Sequence, residues 1–101
     1  MAKKGFLDEI SDLLKVLSHP IRLKILVLCT KREFTSRELR EHLGISKPLL
    51  ISHLKKLVSS GFLEYRVELD EEKMVIRKFY KTKEFEICVN KEMFLKMGKG
   101  L

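Results

Sequence analysis

One stretch, residues 35–60, constrains the fold of this chain more than any other part of the sequence. Thr35 and Glu38 have the S/T-x-x-E spacing of a capping box, which predicts that a helix begins there. Gly44 ends this helix, because glycine tolerates the left-handed backbone found at helix C-termini. Ser46 can then cap a second helix, in which leucines recur on one face. Two short helices joined by a tight turn predict a helix-turn-helix, whose second helix enters the DNA major groove.

Two more helices are predicted before this motif. The first lies within residues 1–18 and carries a wide apolar stripe formed by Phe6, Leu7, Ile10, Leu13, Leu14 and Leu17. This stripe is broader than one small core partner requires, so we expect part of it to face another subunit. Pro20 suits the first turn of the next helix. The core face of that second helix consists of Ile21, Ile25, Leu26, Leu28 and Cys29.

Strands are predicted after Gly61, where the apolar period changes from about 3.6 residues to about 2. Residues 62–82 form two alternating runs joined by a polar break at 70–73, which predicts a β-hairpin. The first run is acidic and the second is basic, so the two can offset each other by cross-strand pairing. A third short strand is expected at 85–89. The last helix, within 90–101, is capped by Asn90 and carries Met93, Phe94 and Met97.

A helix-turn-helix followed by a hairpin is a winged helix. We therefore expect one α+β domain over 1–101, mostly helical, with a two-stranded wing at 62–82. The terminal helices at 1–18 and 90–101 are the expected dimerisation elements, and the recognition helix spans 46–60.

The charge of the chain favours a polyanionic partner. Lys and Arg total 21 against 14 acidic residues, which gives a net charge of +7. Residues 20–61 carry nine basic and three acidic side chains, or +6. Basic side chains bind nucleic acid with release of counterions, although many basic domains bind none.

Neither a targeting signal nor a membrane span is evident, so a cytoplasmic, nucleoid-associated protein is the simplest expectation. The chain has no Gln and a single Asn, Asn90. Such depletion of thermolabile amides is typical of hyperthermophiles.

Residues 17–66 resemble the ArsR-type transcriptional regulators of bacteria and archaea. The shared motifs are LSHP at 17–20, LGIS at 43–46, SHL at 52–54 and GFL at 61–63. The resemblance implies a homodimeric DNA-binding regulator that dimerises through its first and last helices. This agrees with the apolar stripe of the first helix and with Met93, Phe94 and Met97 near the C-terminus.

The expected contacts with double-stranded DNA centre on the outward face of the recognition helix. Lys47 can reach phosphate or a guanine edge, and basic residues of the second strand can reach the flanking backbone. The full predicted interface is Thr35, Ser36, Arg37, Ser46, Lys47, Leu49, Ile51, Ser52, Lys55, Lys56, Arg77 and Lys78. Related regulators often have polar or basic residues at the positions of Leu49, Ile51 and Ser52. Aliphatic side chains can touch thymine methyls but offer no hydrogen-bond code, which shifts affinity towards phosphate contacts and DNA shape.

Two other functions fit the same residues. A non-specific chromosomal protein would suit the aliphatic recognition face and the small size. A protein-interaction module would use Leu49 and Ile51 as its contact surface, because fold does not fix function. No enzyme motif is present, so no catalytic activity and no cofactor are expected.

Metal sensing, which the resemblance raises, is not expected. Residues 33–37, where such sensors often have a Cys-x-Cys pair, contain no cysteine, and the last helix offers only Glu92. His19 is interpreted as a turn residue and His53 as a packing and hydrogen-bonding residue. For Cys29 and Cys88 we rank buried free thiols first, a disulfide second and redox sensing third.

Overall fold

The computed structural model describes residues 5–98. The elements follow in the order α1 (Phe6–Leu17), α2 (Pro20–Lys31), β1 (Phe34–Thr35), α3 (Ser36–Leu43), α4 (Lys47–Ser59), β2 (Leu63–Asp70), β3 (Val75–Thr82) and α5 (Lys91–Met97). The sheet has the order β1-β3-β2 and is antiparallel throughout. Helices α3 and α4 form the helix-turn-helix and strands β2 and β3 form the wing, which confirms the predicted fold. Residues 1–4 and 99–101 of the expected dimerisation segments lie outside the described residues.

The core lies where α2, α3 and α4 meet the start of the wing. Its largest fully buried side chains are Ile25, Leu39, Leu50, Leu57, Leu63 and Cys29. The first helix joins this core through Val16, which is 4% exposed and was not part of the predicted stripe. Phe6, Leu7 and Leu14 of that stripe stay 40–48% exposed. Leu13 and Leu17 pack against the core, so the apolar face of α1 is divided between the core and the surface.

The predicted helix caps are present. The Glu38 amide donates to Thr35 Oγ1 at 3.2 Å, and the Thr35 amide donates to Glu38 Oε1 at 3.1 Å. Gly44 has φ 64°, a left-handed conformation that side chains with a Cβ rarely adopt. Ser46 Oγ accepts from the Leu49 amide at 3.4 Å, so the turn between α3 and α4 is fixed at both ends.

Replacing Thr35 with alanine should lower the free energy of unfolding by about 1–2 kcal/mol, because the first amides of α3 lose their capping oxygen. Urea denaturation of both proteins measures the difference. Thr30→Ala is the matched control, since the Thr30 hydroxyl donates to a carbonyl of its own helix and is exposed. Equal stability of Thr35→Ala and the parent would contradict this account of the cap.

The predicted third strand at 85–89 is wrong. Residues 83–90 have no regular secondary structure, and the third strand is β1, where Phe34 pairs with Tyr80 and Thr35 with Phe79. Strand β3 is central, with β1 on one side and β2 on the other, so the segment that follows it finds no free edge on β3. Phe85 instead packs edge-on against Phe62, with ring centroids 4.8 Å apart.

The wing is a two-stranded ribbon that leaves most of its side chains exposed. Cross-strand register places Glu64 opposite Lys81 and Glu68 opposite Arg77, so acidic residues of β2 face basic residues of β3. Arg66 pairs with both Glu33 and Glu68 at 2.7 Å, and Arg77 of β3 pairs with Asp70 of β2 at 3.6 Å. Glu68 and Asp70 of β2 are thus compensated within the protein.

A buried histidine joins α2 to α4. Arg22 Nε donates to His53 Nδ1 at 3.0 Å, and Arg22 Nη1 donates to the Val16 carbonyl at 3.1 Å. Burial lowers the pKa of His53 below its usual 6.5, and the nearby Arg22 and His19 lower it further. The predicted packing and hydrogen-bonding role of His53 is confirmed.

We expect the free energy of unfolding to fall as the pH drops below about 6.5, because the unfolded chain protonates His53 where the folded protein does not. Urea denaturation at about pH 7.5 and about pH 5.5 measures the loss, before carboxylates begin to titrate. His53→Gln should remove this part of the pH dependence. His42→Gln, at an exposed histidine, should retain it. An unchanged pH dependence in His53→Gln would contradict the assignment.

Candidate nucleic-acid interface

The rotation of α4 about its axis is fixed by the core. The side chains of Leu50, His53, Leu54 and Leu57 are buried. The opposite side of the helix is therefore open, and it exposes Lys47, Leu49, Ser52, Lys55, Lys56 and Ser59. Ile51 is half-buried on the flank. The outward face predicted from helical spacing is the one the structure presents.

A groove runs between α3, α4 and the wing. Its volume is about 1160 Å³, above the roughly 300–1,000 Å³ of ordinary ligand pockets. Among the residues that line it are seven of the predicted DNA contacts: Thr35, Ser36, Arg37, Ile51, Lys55, Arg77 and Lys78. The helix-turn-helix and the wing thus contribute basic side chains to one concave surface.

The other five predicted contacts lie outside the groove: Ser46, Lys47, Leu49, Ser52 and Lys56. Ser46 caps α4, and the other four are exposed along that helix. The predicted interface therefore has two parts, the groove and the exposed ridge of α4 beside it.

The N-terminus of α3 holds the acidic side chain of its capping box. Glu38 is held there by Thr35 and by an ion pair from Arg32 Nη2 at 2.9 Å. Hydrogen bonds from Thr35 and then Arg32 lower the pKa of Glu38. This carboxylate occupies the N-terminus of α3, while Arg37 in the first turn of the helix stays exposed. Its ion pair with Glu41, at 3.4 Å, is highly exposed and easily exchanged.

Two side chains of this region were missed from the sequence. Arg32 Cζ lies 3.7 Å from the centroid of the Phe34 ring, and Lys78 Nζ lies 4.7 Å from the centroid of the Tyr65 ring. The first contact is local, between the C-cap residue of α2 and the start of β1, whereas the second joins β2 to β3. On the wing, Arg77 pairs with Asp70 at 3.6 Å, so the Asp70 carboxylate neutralises part of the Arg77 charge.

The terminal helices leave a large apolar surface uncovered. Helix α5 buries none of its residues, and Phe94 and Leu95 are 55% and 65% exposed. On α2, Leu23 and Val27 are 47% and 57% exposed. The radius of gyration is 17.0 Å, whereas a compact chain of this length has about 13 Å. A single copy therefore leaves these apolar side chains of α2 and α5 exposed.

The two cysteines are both free and differ in environment. Cys29 is buried, and burial raises the pKa of its thiol to about 12. Cys88 is exposed, where Asn90 Nδ2 donates to its sulfur at 3.3 Å. The expectation of two buried thiols is wrong for Cys88, because the segment that carries it is not a strand of the sheet.

Between residues 5 and 98, the structure holds neither a metal-binding cluster nor a membrane-spanning helix. This part of the chain has no group of three or more His, Cys, Asp or Glu side chains that could hold a metal ion. Across the same range, every helix is too short or too polar to cross a membrane.

Comparison with known proteins identifies the family. The profile described as "Bacterial regulatory protein, arsR family" matches residues 19–65. An uncharacterized HTH-type transcriptional regulator of Methanocaldococcus jannaschii is 32% identical over 83 residues, which cover 82% of this chain and 85% of the relative. The chain belongs to the arsR family of helix-turn-helix transcriptional regulators. The family predicted from the sequence is confirmed.

Other relatives of this arsR-family chain are similar over shorter stretches or by fold. A biofilm growth-associated repressor of Xylella fastidiosa is 41% identical over 59 residues, which cover 58% of this chain and 52% of the repressor. The structure of the repressor BigR from the same species has a TM-score of 0.65 at 34% identity and covers 79% of this chain and 73% of that one. A homodimeric winged helix-turn-helix DNA-binding domain of Mycobacterium bovis has a TM-score of 0.63 at 25% identity, over 81% and 75%.

Proposed function

We propose that this regulator binds double-stranded DNA as a homodimer, with one α4 from each subunit in successive major-groove segments about one helical turn apart. The observation that carries this proposal is the shared basic surface of α3, α4 and the wing. A winged helix that presents its recognition helix and wing to the same side can hold both on one duplex. The family of the chain supports regulation of transcription as the outcome.

The proposed contacts divide by chemistry. Lys47 reaches a phosphate or a guanine edge and Ser52 a base or a phosphate, whereas Lys55 and Lys56 lie further along α4 and meet the backbone. Arg37 contacts phosphate. Arg77 and Lys78 reach the flanking backbone or minor groove from the wing. Thr35, Ser36, Ser46, Leu49 and Ile51 complete the proposed interface.

The proposed dimer forms through α1 and α5. Their exposed apolar side chains need a partner, and a second copy presents the same surface in a two-fold arrangement. The homodimeric Mycobacterium bovis domain supports this assembly. The proposed interface is Phe6, Leu7, Ile10, Leu13, Leu14, Leu17, Met93, Phe94 and Met97, and we add Leu95 because it is exposed on the same helix, α5.

We also propose that the protein acts on the nucleoid in the cytoplasm of a heat-adapted organism. The lack of Gln and the Methanocaldococcus jannaschii relative support an archaeal or thermophilic source. Thermal unfolding should then have a midpoint above the roughly 45–65 °C typical of mesophile domains. A midpoint within that range would contradict the proposed thermophilic source.

Binding to a random-sequence duplex and to a duplex from the region upstream of its own gene, each at two salt concentrations, tests the function. Preference for one duplex with a steep salt dependence would support a specific regulator. Equal, salt-sensitive binding to both would favour a chromosomal protein, for which the 43% exposed Leu49 is the supporting observation. Absence of binding to either duplex would favour the protein-interaction module.

A further inference from the structure

We propose that the first two turns of α4 read thymine methyl groups, so that the half-sites this regulator prefers carry thymines in the major groove. The inference rests on the proposed DNA-binding function and names the feature of DNA that Leu49 and Ile51 recognise. It concerns which duplexes are bound tightly, not whether DNA is bound at all.

The outward face of α4 is divided along the helix axis. Its N-terminal half presents Leu49, which is 43% exposed, on one flank and Ile51, half-buried, on the other. Its C-terminal half presents Lys55 and Lys56, both exposed. At about 100° per residue, Leu49 and Ile51 are about 160° apart, and Ser52 lies between them on the outward side. The half nearer the helix start therefore carries one aliphatic side chain on each flank of a single hydroxyl.

This half is the part of a recognition helix that meets base edges. Its orientation is rigid, because the Leu49 amide is held by Ser46 Oγ at 3.4 Å. Leu50 and Leu54, buried to 0% and 2% exposure, fix the other side of the helix. Helix α4 therefore cannot rotate Leu49 and Ile51 away from bound DNA without unpacking the core.

An aliphatic side chain in the major groove needs an apolar partner. Against a phosphate or a hydrogen-bonding base edge it would strip water from polar groups and return no hydrogen bond. The C5-methyl of thymine is the apolar group that the four bases display in this groove. Ser52, between the two aliphatic side chains, can bond a neighbouring base edge. Leu49 and Ile51 thus favour T·A pairs over C·G pairs.

Methyl deletion in the DNA tests this directly. The duplex used is the tightest binder recovered by selection from a random-sequence library, and each of its thymines is replaced in turn by deoxyuridine, which lacks only the methyl. At one or more positions in each half-site, we expect the substitution to weaken binding about fourfold. This is the change in affinity that corresponds to the burial of one methyl group. Replacement in both half-sites should weaken binding about sixteenfold.

Protein variants assign the effect to its side chains. In Leu49→Ala or Ile51→Ala, the thymine and deoxyuridine duplexes should bind equally at the position that side chain reads. Lys56→Ala is the control, because loss of a backbone contact should weaken both duplexes by the same factor. Both aliphatic positions are at the surface of α4, so alanine preserves the helix.

Two results would overturn the inference. One is tight binding of the selected duplex with no loss at any deoxyuridine. The other is a deoxyuridine effect that persists in both alanine variants. Either leaves the proposed function intact, whereas failure to select any duplex would overturn the proposed function as well.

Discussion

Replacing Lys47 and Lys55 together with alanine should weaken DNA binding roughly a thousandfold at about 0.1 M salt and flatten its salt dependence. Both lysines are exposed on α4, one in its first turn and one two turns later. A dimer loses four of these side chains, and each phosphate contact contributes about 0.9 to the slope of log K against log salt. The slope should therefore fall by about 3.6. Fluorescence anisotropy at several salt concentrations measures both quantities.

A variant with the same loss of charge separates position from net charge. Lys24 and Lys31 are exposed on α2, outside the helix-turn-helix and outside the groove. Lys24→Ala with Lys31→Ala should leave the salt slope close to that of the parent. If the two double variants bind alike, α4 does not carry the contacts assigned to it and only net charge matters.

Local signals in the sequence located most of the fold. Thr35 with Glu38, Gly44 and Ser46 each act within a few residues, so their effect can be predicted without the tertiary structure. The spacing of leucines in α4 likewise predicted which side of that helix is buried. That spacing also predicts the outward face of α4, so the residues on that face could be named without the tertiary structure.

Contacts between distant residues were not predictable in the same way. Strand β1 is two residues long and exists because β3 has a free edge beside it, which no pattern at Phe34–Thr35 reveals. The segment 85–89 has strand-like residues but no edge to pair with. Glu38 joins its local cap to Arg32, which lies beyond strand β1, and this ion pair depends on how the chain turns between α2 and α3. In each case the position of other parts of the fold, and not the local sequence, determines the structure.

Introducing glutamate at Leu14 and Phe94 should convert the dimer into a monomer and weaken DNA binding by at least roughly a hundredfold. Leu14 is 44% exposed on α1 and Phe94 is 55% exposed on α5, so neither change disturbs the core of the subunit. In the proposed interface, however, each would place unpaired carboxylates against apolar side chains, which is costly. A monomer then holds only one half-site. Sedimentation velocity measures the mass, and binding to the selected duplex measures the affinity.

Val67→Glu is the control for adding charge to an exposed apolar site. Val67 is 55% exposed on the wing, opposite Lys78, and lies on neither terminal helix. This variant should remain a dimer. A monomeric Leu14→Glu, Phe94→Glu protein that still binds with the parent's affinity would show that one recognition helix is sufficient. A variant that stays dimeric would instead place the subunit interface away from α1 and α5, where exposed Leu23 and Val27 of α2 offer the next apolar surface.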